Sequence, residues 1–174
     1  MRKLLAVGDI RELLGELALR MSAAGIQGGI RVVGGSAIAL MNPLRRATQD
    51  IDAVLVPAGP IVLIASDIAL ERGLQPDWLN DAVKAYIPLV GTEDWIEILR
   101  EGDAVVSIGS SEMLLAMKLL SNRGRRDAED IEYLLGECGI STVEEAQAVY
   151  ERYHAQEVIS DSAVARIRHW LDRR

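Results

Sequence analysis

Apolar residues recur at Leu13, Leu14, Leu17 and Met21, one face of a 3.6-residue period. The spacing predicts a helix with Asp9 as its N-cap and an end near Gly25. Gly28-Gly29 then leads into Ile30-Arg31-Val32-Val33, a β-branched run that reads as a strand. After Gly34-Gly35 the residues from Ser36 to Met41 read as a helix, which Pro43 closes. Ile51 to Val56 is a second strand, ended by Pro57, and a further helix is expected from near Pro60 to Gly73. The stretch from Leu74 to Gly91 is less regular. Pro76-Asp77 marks a turn or a helix entry, Trp78 to Ala85 has helical spacing, and Pro88 interrupts it. Ile96 to Leu99 and Ala104 to Ile108 read as two strands joined at Gly102-Asp103.

From Ser110 onward the pattern is helical. One helix runs from a Ser110 or Ser111 cap to Asn122, and a second from about Asp127 to Glu137 with Gly139 past its end. A third follows Ser141, with Glu144 at capping-box spacing, and a last one follows Ser160-Asp161. The order is helix, then mixed helix and strand, then helix alone. This predicts an α+β fold, a small mixed β-sheet flanked by helices with an all-helical C-terminal part. At 174 residues a single domain is expected, with residues 1–110 the α/β core and 111–174 the helical part. No internal repeat, low-complexity tract or linker interrupts it.

Composition narrows the function. Nineteen basic against twenty-six acidic side chains leave a net charge of −7, which excludes a generally basic nucleic-acid coat but not a local basic patch. The single cysteine, Cys138, excludes a disulfide framework and a cysteine-built zinc site. Phenylalanine is absent, so the core is left to Leu, Ile, Val, Ala and Met, and platforms for base stacking are scarce. Arg2 and Lys3 precede an apolar run, Leu4 to Val7, too short for a secretory signal. The longest uncharged stretch, Ala53 to Ser66, is too short for a bilayer span. A cytoplasmic protein without a membrane partner is expected.

One constellation carries chemistry. Gly34-Gly35-Ser36 is followed, after residues 37–49, by Asp50-Ile51-Asp52. Alternation along a strand puts Asp50 and Asp52 on one face and Ile51 on the other. Two carboxylates side by side repel, and a strand gains from them when a cation sits between. Mg²⁺ (or Mn²⁺) suits oxygen ligands and shares them with phosphates. A glycine pair between strand and helix lets an anion approach the helix's first N–H groups. Anion site and metal-binding pair together point to metal-assisted phosphoryl or nucleotidyl transfer. A nuclease using the same carboxylates would leave the Gly-Gly-Ser element without a task.

Val32-Val33-Gly34-Gly35-Ser36-Ala37 with Arg46-Ala47-Thr48-Gln49-Asp50-Ile51-Asp52 resembles the nucleotidyltransferase superfamily that includes DNA polymerase β and the minimal nucleotidyltransferases. The R-x-T-x-D-I-D form from Arg46 is similar to stand-alone members related to the AbiEii abortive-infection toxins. Lys118-Leu119-Leu120 with Arg123, Arg126-Asp127 and Asp130-Ile131 resembles that group's helical element. The resemblance covers roughly residues 30–135 and implies a nucleotidyltransferase core. It implies that Gly34, Gly35 and Ser36 hold a triphosphate, with Arg46, Thr48, Lys118, Arg123 and Arg126 also facing nucleotide, and that Asp50 and Asp52 bind Mg²⁺. A third carboxylate is expected on a neighbouring strand, and Glu97 is the best-placed candidate. The implied partners are an NTP, an acceptor that is RNA, protein or small molecule, and a cognate toxin or antitoxin. A module of this fold that has lost catalysis and serves as antitoxin or regulatory partner is the alternative.

Three further readings do not need the resemblance. Lys118 interrupts the apolar run from Met113 to Leu120, so its ammonium must snorkel out or meet an anion. Arg123 to Asp127 and Arg126 to Asp130 are spaced either as i,i+4 pairs or as a phosphate- or RNA-facing set. His154 and His169 are expected at the surface, with Cys138, Trp78 and Tyr86 in packing roles.

Overall fold

The structure, a computed structural model, describes residues 4–88 and 91–174. Arg2 and Lys3 of the amino-terminal run, and Leu89 and Val90 of the irregular stretch, lie outside the described residues. Two compact units are present. One comprises Met1–Ala85 with Trp95–Gly109, the other Tyr86–Asp94 with Ser110–Arg174.

The first unit holds a five-stranded mixed sheet built from β1 (Gly28–Val32), β2 (Ile51–Val56), β3 (Leu79–Asn80), β4 (Trp95–Glu101) and β5 (Ala104–Gly109). Their spatial order is β3-β2-β1-β5-β4. β1 runs antiparallel to β2 and parallel to β5, β3 is parallel to β2, and β4 is antiparallel to β5. Three helices accompany it: α1 (Val7–Ala23), α2 (Gly34–Met41) and α3 (Ala58–Arg72). α1 packs on β4 and β5, α2 and α3 pack on β2, and α1 touches both other helices. Leu13, Leu14, Leu17 and Met21 of α1 are buried, as are Ile30, Val32, Ile51, Ala53, Leu55 and Val106 on the strands. The register places those strand residues on one face. Each buried Leu, Ile or Val contributes about 1.5–3 kcal/mol. The other face carries Gly29, Arg31, Asp52, Val54, Val105, Ser107 and Glu97.

Several boundaries differ from the sequence expectation. Ala6, not Asp9, is the N-cap of α1. Asp9 stands at the third helical position, where its carboxylate accepts the Ala6 N–H at 2.9 Å. α3 starts at Ala58, so Pro60 lies within the first turn, whose N–H groups have no helical partner to lose. The segment with helical spacing after Trp78 is instead the short strand β3 and a 3-10 turn, Ala82–Tyr86. Trp78 anchors this extension, because its carbonyl accepts the Ile51 N–H at 2.7 Å and its indole donates to the Ala65 carbonyl at 2.9 Å. β4 extends beyond Ile96–Leu99 at both ends, and a register shift between Glu97 and Leu99 leaves Ile98 out of the ladder.

The second unit holds α4 (Ser111–Ser121), α5 (Arg125–Glu137), α6 (Val143–Tyr153) and α7 (Asp161–Leu171). α4 packs on α5 and α6, and α7 on the same two. Ser110 caps α4 by accepting the Met113 N–H at 3.2 Å. α5 starts at Arg125, two residues before Asp127. The capping box of α6 is Thr142 with Glu145, one residue later than Ser141 with Glu144. That phase buries Ala146, Val149, Tyr150 and Tyr153. At the end of α4, Asn122 adopts φ 34° and ties α7 on by donating to Ser162 Oγ at 2.8 Å and accepting from Arg166 Nε at 3.2 Å. His154 is buried beside Tyr150 rather than at the surface, and burial lowers its pKa. Among the described residues no helix is long and apolar enough to cross a membrane.

Candidate active site

The site in the first unit begins where β1 ends. Val33 is extended, and its N–H donates to the Asp52 carbonyl at 2.9 Å, which locks the turn after β1 against β2. Gly34 then takes φ +64°, a conformation that favours glycine. A Cβ on Gly34 would stand 2.9 Å from Asp52 Oδ2, and one on Gly35 would stand 2.7 Å from Arg45 Nη2. The two glycines are therefore where a carboxylate and a guanidinium come up against the backbone that opens α2. Ser36 is buried, and its hydroxyl donates to the Val33 carbonyl at 3.1 Å, holding the turn.

Asp50 immediately precedes β2 and Asp52 is its second residue. Ile51, Ala53 and Leu55 point into the core, while Asp50 and Asp52 are half-buried. The pleat that buries Ile51 is what presents both carboxylates together. On the next strand Asn80 stands directly beside Asp52 in parallel register. Its Nδ2 donates to Asp50 Oδ2 at 3.4 Å, and its Oδ1 accepts the Ala82 N–H at 3.1 Å. The Ala82 contact fixes which end of the amide faces the carboxylate.

Glu97, the expected third acid, is not brought to this pair. It lies on β4, three strand spacings from β2, or about 14 Å at ~4.8 Å per strand. The Arg100 side chain holds its carboxylate at 3.0 and 2.5 Å and keeps it below the usual carboxylate range. The position on the neighbouring strand belongs to Asn80. Arg46 is exposed, and Arg45 Nη1 donates to its carbonyl at 3.1 Å. Thr48 is half-buried and pairs through its backbone with Leu5, at 2.7 and 3.0 Å. Arg45 and Asn80 are the residues that sequence reasoning missed. Arg45 adjoins a residue already singled out, and only the loop conformation separates the two.

In the second unit, Lys118 meets anions of its own chain. Nζ lies 2.7 Å from Asp127 Oδ1 and 2.9 Å from Asp130 Oδ2, and all three side chains are buried. Asp127 also accepts from Ser121 Oγ at 3.1 Å, the Arg123 N–H at 2.9 Å and Arg123 Nε at 3.2 Å. Burial opposes its ionisation, but Lys118 and Arg123 outweigh it and hold the carboxyl well below the ordinary range. The helical element read from the sequence thus forms a buried ion cluster joining α4 to α5, with Arg126 exposed. Burial, and then Glu112 and Glu137, push the Cys138 thiol up to about 12.

Compared with known proteins, residues 10–166 match the sequence model of a family described as nucleotidyltransferase of unknown function (DUF6036). No curated protein matches the chain, and no solved structure does.

Proposed function

Because the chain belongs to this nucleotidyltransferase family, we propose that it moves a nucleoside monophosphate from an NTP to a hydroxyl acceptor in a Mg²⁺-dependent reaction. The observation that carries this is the approach of the Asp52 carboxylate to Gly34, with the Arg45 guanidinium against Gly35. Phosphate-facing backbone, a cation and a carboxylate pair are thereby gathered at one end of β1 and β2. The donor set suits Mg²⁺, which is commonly held by one or two carboxylates and completed by substrate phosphates. Among the described residues no group of three or more His, Cys, Asp or Glu is placed to hold a metal by itself. Asp50 and Asp52 would hold the ion together with the phosphates of the nucleotide. Once bound it neutralises phosphate charge and aligns attack in line.

The chain's own groups have separate tasks in this reading. The Gly34-Gly35 backbone receives the phosphates, and Arg45 balances the charge that grows on the leaving pyrophosphate. Asn80 keeps Asp50 oriented. The acceptor oxygen forms a bond to the α-phosphorus, the bond from that phosphorus to the bridging oxygen breaks, and pyrophosphate leaves. The acceptor proton passes to solvent, since the residue beside the pair is an amide that cannot take it.

One observation favours a second reading, a nucleotide-binding module without transfer: the neutral side chain of Asn80 stands beside Asp52. The AbiEii-like spacing from Arg46 supports the narrower proposal of a toxin with a cognate antitoxin, acting on RNA or protein. Incubation with each of four α-labelled NTPs, Mg²⁺, and either RNA or cell extract separates these readings. Label on an acceptor with release of pyrophosphate is expected. Mg²⁺-dependent NTP binding with no labelled acceptor and no pyrophosphate favours the binding module.

A further inference from the structure

α3 is apolar on two sides, and the fold of one chain uses only one of them. Ile61, Ala65, Ile68 and Ala69 are buried where the helix packs on β2 and α1. On the opposite side Gly59, Val62, Leu63, Ser66 and Leu70 are exposed, and helical spacing sets them in one stripe. Val62 is 47%, Leu63 69% and Leu70 83% exposed. From Gly59 to Leu70 the sequence carries one charge, Asp67, at the edge of that stripe. A helix that is apolar all round is normally covered all round. A lone exposed leucine is ordinary, but a contiguous apolar stripe marks an interaction surface.

The residues of the stripe say what covers it. Gly59 has no positive φ, and an added Cβ there would meet nothing within 4 Å among the described residues, so the chain itself does not require a glycine. Ser66 turns its hydroxyl back onto the helix, donating to the Val62 carbonyl at 2.8 Å. It therefore offers a small side chain whose polar atom is already satisfied. Small and large alternate as Gly59, Leu63, Ser66, Leu70, and the order read backwards exchanges large for small. An antiparallel copy of α3, turned about a two-fold axis beside Ile64 and Ala65, sets Leu63 over the partner's Ser66 and Leu70 over the partner's Gly59. The same register sets Asp67 opposite the partner's Val62 and keeps the two carboxylates apart. A parallel pair in register would meet like with like: leucine on leucine, a void between glycines, and Asp67 toward Asp67. Self-complementarity of this kind is what a closed two-fold contact requires. With 15 residues, α3 is about 22 Å long and ~10–12 Å wide. Its face is smaller than the ~800 Å² per partner of a standard interface, so the contact is a weak, reversible one.

We infer that the outer face of α3 is a contact between two copies of this chain, with the two α3 helices packed antiparallel about a two-fold axis. Leu63 seats on the partner's Ser66 and Leu70 on the partner's Gly59. The inference does not rest on the proposed function.

The test is sedimentation equilibrium of the whole chain from about 10 μM to about 1 mM. A monomer–dimer equilibrium that stops at two copies is expected. Ser66→Leu adds apolar surface, yet it should weaken the dimer about tenfold or more, because it fills the seat of the partner's Leu63. Leu63→Ser should weaken it likewise, and the double variant that exchanges the two residues should return to within a few-fold of wild type. Both positions are exposed, so unfolding midpoints should stay near that of wild type. Register is read separately: on oxidation, Leu63→Cys and Ser66→Cys chains mixed together should cross-link to each other faster than either does to itself. A monomer at every concentration, growth beyond dimers, tighter association of Ser66→Leu, or variants that leave the equilibrium unchanged would each overturn the inference. A monomer that cosediments with phosphatidylcholine vesicles, and loses this with Leu63→Glu, would give the face to a bilayer and overturn it equally.

Discussion

Two pairs of aspartates show what the chain does with like charges. Asp127 and Asp130 project from α5 into a buried space where the Lys118 ammonium lies 2.7 and 2.9 Å away. Asp50, just before β2, and Asp52, on it, are half-buried, with an amide donating to the first and a glycine turn pressed against the second. Burial forces the first pair to carry its own cation, because uncompensated charge in the interior costs several kcal/mol. Partial exposure makes that demand smaller for the second pair, to which the proposed function assigns a cation arriving with a ligand. The first pair is built into the interior and the second is the one proposed for function, although both fall in motifs that resemble nucleotide sites.

The largest expected effect tests the buried side of that contrast. Lys118→Met leaves two buried carboxylates without their ammonium and should destabilise the protein by about 3–5 kcal/mol, read from urea denaturation at pH 7. The acid limb carries the same information. The Asp127 carboxyl is held below its unfolded value of ~3.9, so its contribution is complete above pH ~4 and fades as pH falls toward the folded value. Wild type should lose stability steeply below pH ~4, and Asp127→Asn should flatten that slope. Equal slopes would show that the cluster stores no such energy.

Next in size is the half-exposed pair. Asp52→Asn should leave stability within about 0.5 kcal/mol, while transfer falls by more than the ~10–100-fold that residues merely orienting a metal ligand contribute. Destabilisation comparable to that of Lys118→Met would erase the distinction between the pairs. The glycines refine it. Gly34→Ala puts a side chain at φ +64° and against Asp52, and should cost about 1–2 kcal/mol. Gly35→Ala meets only the movable end of Arg45, so its effect should show as weaker NTP binding with little change in unfolding midpoint. The smallest effect is expected from Asn80→Asp. It adds a third acid beside Asp52, should lower stability by only a few tenths of a kcal/mol through repulsion, and should tighten Mn²⁺ binding in the absence of nucleotide. Unchanged Mn²⁺ affinity would place residue 80 outside the metal's reach.

What was legible in the sequence was local. β1 and β2 announce themselves by β-branched runs, and Gly34-Gly35 with Asp50-Ile51-Asp52 survives as a motif because a turn and a pleat need only adjacent residues. The order β3-β2-β1-β5-β4 is not local, so nothing in Trp95-Ile96-Glu97-Ile98 shows that Glu97 stands three strands from the pair. β3 is two residues long, too short to leave a period, and Asn80 went unseen with it. Lys118 was correctly forced to choose between snorkelling and an anion, but its partners sit on the next helix, nine and twelve residues on. Helical phase alone does not reveal that contact.

The most direct test of the central claim is electron paramagnetic resonance of free Mn²⁺, titrated into the protein with and without a non-hydrolysable NTP analogue. Wild type should take up Mn²⁺ weakly alone and much more tightly with the analogue, and the Asp50→Asn, Asp52→Asn double variant should lose that gain while keeping its unfolding midpoint. Identical nucleotide-dependent Mn²⁺ uptake by the double variant would contradict the assignment of these two carboxylates as the metal site.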